Sequence, residues 1–213
     1  MAGDLTFYTN PMSRGRIVRW MLEEVGHAYE TVLLDYATTM KEPAYLAINP
    51  MGKVPAIRHG DTVVTEAAAI CAYLADMYPD AGLAPPPGNP KRGPYYRWFF
   101  FAAGPLESAI ITAALGAQVP PEKQAMVGWG SMELALDAVE KAVSASPFLC
   151  GDRFTAADLY LGAQLGFGMM FGTIGKRPAF EDYVGRTAGR PASVRAKEID
   201  DALIAEQKKQ QGG

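Results

Sequence analysis

Leu5-Thr6-Phe7-Tyr8 alternates along the chain as a short strand does, and past residue 14 the hydrophobic period changes. Ile17, Val18, Met21, Leu22 and Val25 recur at helical spacing, which predicts a helix over 14–25. Gly26 stands where a glycine usually closes a helix, and Tyr29-Glu30-Thr31-Val32-Leu33-Leu34 then supplies β-forming residues for a second strand. An irregular or helical stretch covers Glu42 to Ile48. Val54-Pro55-Ala56-Ile57-Arg58 and Thr62-Val63-Val64 flank His59-Gly60-Asp61 as a hairpin, and a long helix is predicted over 66–78.

The pattern breaks at Pro79-Asp80-Ala81-Gly82-Leu83-Ala84-Pro85-Pro86-Pro87-Gly88-Asn89-Pro90, whose prolines and glycines are incompatible with a helix or a central strand. Beyond it only helical periods are found, over 91–117, 121–145, 155–171, 178–188 and 192–208. The expected organisation is an α/β thioredoxin-like domain (βαβ, then ββα) over 1–79, a linker over 80–90 and an all-α domain over 91–213. Lys208-Lys209-Gln210-Gln211-Gly212-Gly213 reads as a frayed tail.

Composition narrows the function. The chain has 213 residues, 49% hydrophobic and 20% charged, with a net charge of −3, which describes a globular protein without the basic stripe that meets nucleic acid. The polar, acidic start and the absence of any run of about 18 apolar residues point to a cytoplasmic protein with no membrane segment. Cys71 and Cys150 belong to no CxxC pair or His cluster, so neither a structural disulfide nor a metal is expected.

Three motifs occur in order: Asn49-Pro50-Met51-Gly52-Lys53-Val54-Pro55, then Glu66-Ala67, then Gly151-Asp152-Arg153-Phe154-Thr155-Ala156-Ala157-Asp158. With the two-part organisation, they resemble the cytosolic glutathione S-transferases, in particular bacterial, theta-like or unclassified members. The resemblance implies glutathione as co-substrate, no metal, and a homodimer. It also implies a first domain that holds the tripeptide and a helical domain that lines a pocket for a hydrophobic electrophile.

By that resemblance, the backbone beside a cis Val54-Pro55 bond pairs with the cysteinyl part of glutathione, and Lys53 meets a carboxylate. A proline opening an edge strand also needs no ligand. Thr65-Glu66-Ala67 opens the helix predicted over 66–78, where free N–H groups favour an anion and Glu66 offers a charge to the α-ammonium group. The family usually carries Ser or Thr where Ala67 stands, so weaker glutathione affinity is expected.

Activation of the thiol points to the first turn. A free thiol with a pKa near 8.5 is mostly protonated at neutral pH, and a hydrogen bond to a charged acceptor contributes about 1.5–3 kcal/mol, or roughly one to two pKa units. Ser13, at the start of the first helix, is the leading candidate, because many bacterial and theta-like transferases use a Ser in this turn. In theta-like members the Ser lies four residues before the corresponding Arg, which makes Asn10 a rival. Tyr8 is the third, since its spacing to Arg19-Trp20 resembles that of the alpha class. Ser13 also suits a purely structural helix cap.

For the electrophile pocket the resemblance implicates Tyr96, Phe100, Ala103 and Glu107, at helical spacing on one face, with Gly104-Pro105 as a source of a kink. Gly166-Phe167-Gly168-Met169-Met170-Phe171-Gly172 suits either an adaptable pocket wall or close helix packing. Thr155 with Asp158 reads as a structural capping box. A glutathione peroxidase or isomerase, or a binding protein of the same fold without turnover, are the alternatives to a conjugating enzyme.

Overall fold

The computed structural model describes residues 4–211. Its contacts divide into two compact units, one made of the chain up to Ala81 together with the chain from Arg190 onward, the other of Gly82–Gly189.

In the first unit, β1 (Leu5–Thr9) leads into α1 (Gly15–Val25) and β2 (Glu30–Leu33). Gly26 closes α1 at φ 72°, its N–H bonded to the Leu22 carbonyl at 2.9 Å. A 3-10 turn over Thr39–Lys41 and the single-turn α2 (Pro43–Leu46) follow. β3 (Ala56–His59) and β4 (Thr62–Thr65) then form a hairpin through Gly60 at φ +57°, and α3 (Ala67–Met77) completes the βαβ–ββα order. The sheet runs β2-β1-β3-β4, with β1 parallel to β2 and antiparallel to β3. Leu5, Phe7, Ile57, Ile17, Val18, Met21, Leu22, Ile70, Cys71 and Leu74 are buried, so the α1 stripe read from the sequence leaves water except at the half-buried Val25, while Val32 and Leu33 of β2 and Val63 of β4 stay exposed.

The second unit is helical: α4 (Arg92–Phe101), α5 (Glu107–Ala114), α6 (Met132–Ala145), α7 (Ala156–Phe171) and α8 (Pro178–Ala188). The helix predicted over 91–117 is not continuous. Ala102–Leu106 forms a π-helical turn with Pro105 inside it, because proline supplies no N–H to an α-helical ladder and a wide turn absorbs the defect. The stretch predicted as helix over 121–145 divides too. Pro121–Met126 is 3-10, Gly130 takes φ +64°, and α6 starts only after Ser131, whose Oγ accepts the Leu134 N–H.

Gly166 and Gly168 serve close packing. A Cβ on Gly168 would stand 2.4 Å from Ile174, and one on Gly166 would touch Val184. At the head of α7, the Asp158 carboxylate accepts the Thr155 N–H (2.8 Å), the Thr155 hydroxyl (2.7 Å), the Leu149 N–H (2.7 Å) and the Tyr183 hydroxyl (2.8 Å). Burial pushes this carboxyl up from its ordinary range, against the pull of those donors.

The last helix departs from the division at the linker. α9 (Pro191–Gln211) packs on α1 and belongs to the first unit, rather than to a helical domain running over 91–213. Charge pairs place it there: Arg19–Asp200 and Arg16–Asp201 at 2.7 Å, Arg190–Glu24 at 2.7 Å and Arg195–Glu23 at 3.3 Å. Of the expected frayed tail, Lys208 to Gln211 continue this helix, and Gly212 and Gly213 lie outside the described residues.

Candidate functional site

Strand register gathers the site. Tyr8 pairs with Ala56, and Ala56 with Thr65, so one row across the sheet joins the ends of β1 and β4 to the start of β3. Just past this row lie the turn 10–13, the Val54-Pro55 bond, which is cis, and Glu66-Ala67 at the start of α3. Three of the segments singled out in the sequence therefore share one end of the sheet.

The turn is closed by its own polar groups. The Asn10 amide donates to the Leu34 carbonyl at 2.9 Å, and its oxygen accepts the Met12 N–H at 2.9 Å. Asn10 is 3% exposed and ties β1 to the end of β2. Ser13 Oγ donates to the Asn10 carbonyl at 2.6 Å and accepts the Gly15 N–H at 2.9 Å. Gly15 is needed at this point, since a Cβ there would fall 2.0 Å from the Thr9 hydroxyl. Tyr8 differs from both rivals. Its ring packs among Leu34, Met40, Tyr45 and Ala56, yet its hydroxyl makes no hydrogen bond to the described residues and is not sealed from solvent.

The loop before Pro55 is braced from behind. The Lys53 carbonyl accepts the Tyr45 hydroxyl at 2.6 Å and the Asn49 amide at 2.8 Å, while Lys41 Nζ donates to the Gly52 carbonyl at 2.8 Å. Gly52 sits at φ +56°, where a Cβ would meet the Met40 carbonyl at 2.8 Å. The Lys53 side chain is exposed. Sequence pattern alone gives Tyr45, Asn49 and Lys41 no bracing role in this loop. The Asn-Pro pair marks Asn49 as a turn former, whereas nothing local marks the other two.

Glu66 has φ +66° and is the one non-glycine residue with positive φ among the described residues. Such a conformation costs of order 1–3 kcal/mol. Its carbonyl accepts the Ile70 N–H, so the strained residue opens α3, with Ala67 as the first helical residue.

The residues expected to face an electrophile all lie in the second unit. Tyr96 is exposed on α4 and its hydroxyl accepts from Arg92; Phe100 is 73% exposed. Ala103 lies in the π turn, and Glu107 begins α5 with its carboxylate accepting the Gln164 amide at 3.3 Å. The π turn separates Tyr96 and Phe100 from Glu107, so α-helical spacing does not carry across it. Among the described residues, no group of three or more His, Cys, Asp or Glu is arranged to hold a metal ion, and no helix is long and apolar enough to cross a membrane.

A mixed four-stranded sheet with a cis-proline at the head of β3, followed by a helical unit, defines a thioredoxin-like protein with an added α-helical half. Comparison with known proteins narrows this. Residues 3–76 match the model of the glutathione S-transferase N-terminal domain, and residues 113–167 that of the glutathione S-transferase C-terminal domain. Glutathione S-transferase GstA of Escherichia coli O157:H7 is 34% identical over 66% of this chain and 70% of its own. Glutathione S-transferase 3 of Zea mays is 32% identical over 72% and 73%. Among solved structures, a glutathione transferase from Methylococcus capsulatus superposes with a TM-score of 0.77 at 30% identity, covering 93% of this chain and 99% of that one. A sphingomonad glutathione S-transferase complexed with glutathione gives 0.73 at 29% identity, covering 92% and 98%. The chain belongs to the glutathione S-transferase family.

Proposed function

We propose that this protein joins the thiolate of glutathione to an electrophilic carbon of a hydrophobic compound, acting in the cytoplasm as a homodimer. The observation that carries the reading is the shared row Tyr8–Ala56–Thr65, which brings an uncommitted hydroxyl, the cis-proline backbone and the start of α3 to one end of the sheet. In this reading Val54 and Pro55 present backbone to the cysteinyl part, Glu66 and the α3 N-terminus receive the γ-glutamyl end, and Lys53 meets a carboxylate. Tyr8 donates to the sulfur. Ser13 is the second reading: its proton is directed to the Asn10 carbonyl and would have to turn outward to serve a thiolate. Asn10 commits one of its two amide hydrogens to Leu34 and is 3% exposed, which makes it the third reading. Tyr96, Phe100, Ala103 and Glu107 are proposed to face the electrophile.

The test is the absorbance of enzyme-bound glutathione thiolate against pH in wild type, Tyr8→Phe, Ser13→Ala and Asn10→Ala. A donor to the sulfur holds the thiol about one to two units below its free value of about 8.5, and its loss returns the pKa toward that value. Tyr8→Phe is expected to do so. A shift confined to Ser13→Ala transfers the role to Ser13, and an ordinary thiol pKa in bound wild type would sink the catalytic reading in favour of a binding protein. Sedimentation equilibrium tests the dimer separately, since a monomer at micromolar concentration removes that part alone.

A further inference from the structure

We infer that Tyr45 is a positioning residue for glutathione, acting with Asn49 to set the plane of the Lys53–Val54 peptide; the inference rests on the glutathione reading above. A carbonyl oxygen has two lone pairs, and both on Lys53 are taken, by the Tyr45 hydroxyl at 2.6 Å and the Asn49 amide at 2.8 Å. Both donor residues are 4% exposed, so water does not compete for them freely. A planar trans peptide points its N–H opposite to its C=O. Fixing the Lys53 carbonyl from the buried side therefore turns the Val54 N–H to the other side, away from Tyr45 and Asn49.

Each donor is itself held. Asn49 accepts the Met51 N–H at 3.1 Å on its side chain and the Gly52 N–H at 2.8 Å on its carbonyl, and its own N–H donates to the Tyr45 carbonyl at 2.9 Å. The Tyr45 ring packs 5.8 Å from that of Tyr8, inside the cluster of Leu34, Met40 and Ala56. Burial pushes the Tyr45 hydroxyl up to about 12, which keeps it a donor across the neutral range in which the thiol titrates. Lys41, by contrast, reaches the neighbouring Gly52 carbonyl from an exposed position and leaves the Lys53–Val54 plane alone.

The experiment is titration calorimetry of glutathione and of S-methylglutathione, which has no thiol to ionise, into wild type, Tyr45→Phe and Lys41→Met, with melting curves alongside. Tyr45→Phe is expected to raise the Kd of both ligands by the same factor, about five- to tenfold, with the pKa of the bound thiol unchanged. Lys41→Met frees the Gly52 carbonyl but not that of Lys53 and is expected to raise both Kd values by a smaller factor than Tyr45→Phe does; an equal or larger effect overturns the inference. An unchanged Kd in Tyr45→Phe overturns the inference even if the melting temperature falls. A loss seen for glutathione alone also overturns it, since Tyr45 would then be acting on the sulfur through Tyr8. Should Tyr45→Phe be unfolded at the titration temperature, Asn49→Ala is read in its place with the same expectation. Wild type that binds neither ligand overturns the functional reading itself, a result distinct from these.

Discussion

Arg19 on α1 and Asp200 on α9 meet at 2.7 Å with each side chain 2% exposed, across 181 positions of sequence. The guanidinium also donates to the Tyr29 hydroxyl and Thr31 and lies over the Phe7 and Tyr29 rings. Among the described residues, Arg19 Nη2 and Asp200 Oδ2 find no hydrogen-bond partner. Burial pushes the Asp200 carboxyl up, with Arg19 opposing it. Removing one partner leaves the other charge buried, so Arg19→Met or Asp200→Leu should each lose about 3–5 kcal/mol in urea unfolding. The double variant should recover most of that loss. Equal losses in single and double variants would show that packing, not charge, governs this seam.

Glu66 holds a backbone conformation that glycine adopts without strain. Glu66→Gly should therefore keep or raise the melting temperature, because strain relief of about 1–3 kcal/mol exceeds the entropy cost of glycine, about 0.5–1 kcal/mol. In the same variant glutathione should bind less tightly, since the carboxylate is gone. A clear fall in stability would mean that Glu66 is not strained in solution.

Ala67 is the first residue of α3 and carries no hydroxyl. Ala67→Ser adds a donor beside the free N–H groups of the helix start. The Kd for glutathione should fall about three- to tenfold, the equivalent of one ordinary hydrogen bond. If affinity is unaltered, the γ-glutamyl carboxylate does not sit at this helix end.

Asp158 collects donors from Thr155, Leu149 and Tyr183, and so ties the head of α7 to the loop before it and to α8. Asp158→Ala leaves several buried donors unpaired and should cost about 2–5 kcal/mol, whereas Thr155→Ala should cost about 1 kcal/mol. Turnover per folded molecule should be unchanged in both. A specific loss of activity in soluble, stable Thr155→Ala would move this segment from structure to chemistry.

What the sequence alone determined is local. Periods of two and of 3.6 residues marked β1, α1, the β3–β4 hairpin and α3, since alternation and helical stripes are properties of neighbouring residues. Gly26, Gly60 and the Thr155–Asp158 pair were legible for the same reason, each being a backbone requirement met within a few positions. The π turn at Ala102–Leu106 was foreshadowed by Pro105, but how the helix would absorb the defect was not.

Tertiary structure alone decided the rest. α9 packs on α1 with Arg19 meeting Asp200, and Lys53 is braced by Tyr45 and Asn49 converging on one carbonyl, in each case between residues that the sequence does not link. From the sequence Ser13 leads Asn10 and Tyr8 as the donor to the sulfur, and each of the three carries an O–H or N–H in or beside the turn. Their difference lies in where each proton goes once the chain has folded: to the Asn10 carbonyl, to the Leu34 carbonyl, or, for Tyr8, to no described residue. A hydrogen bond between distant segments has no period and no neighbouring signature, because its partners are joined by the packing of the whole unit rather than by the path of the chain.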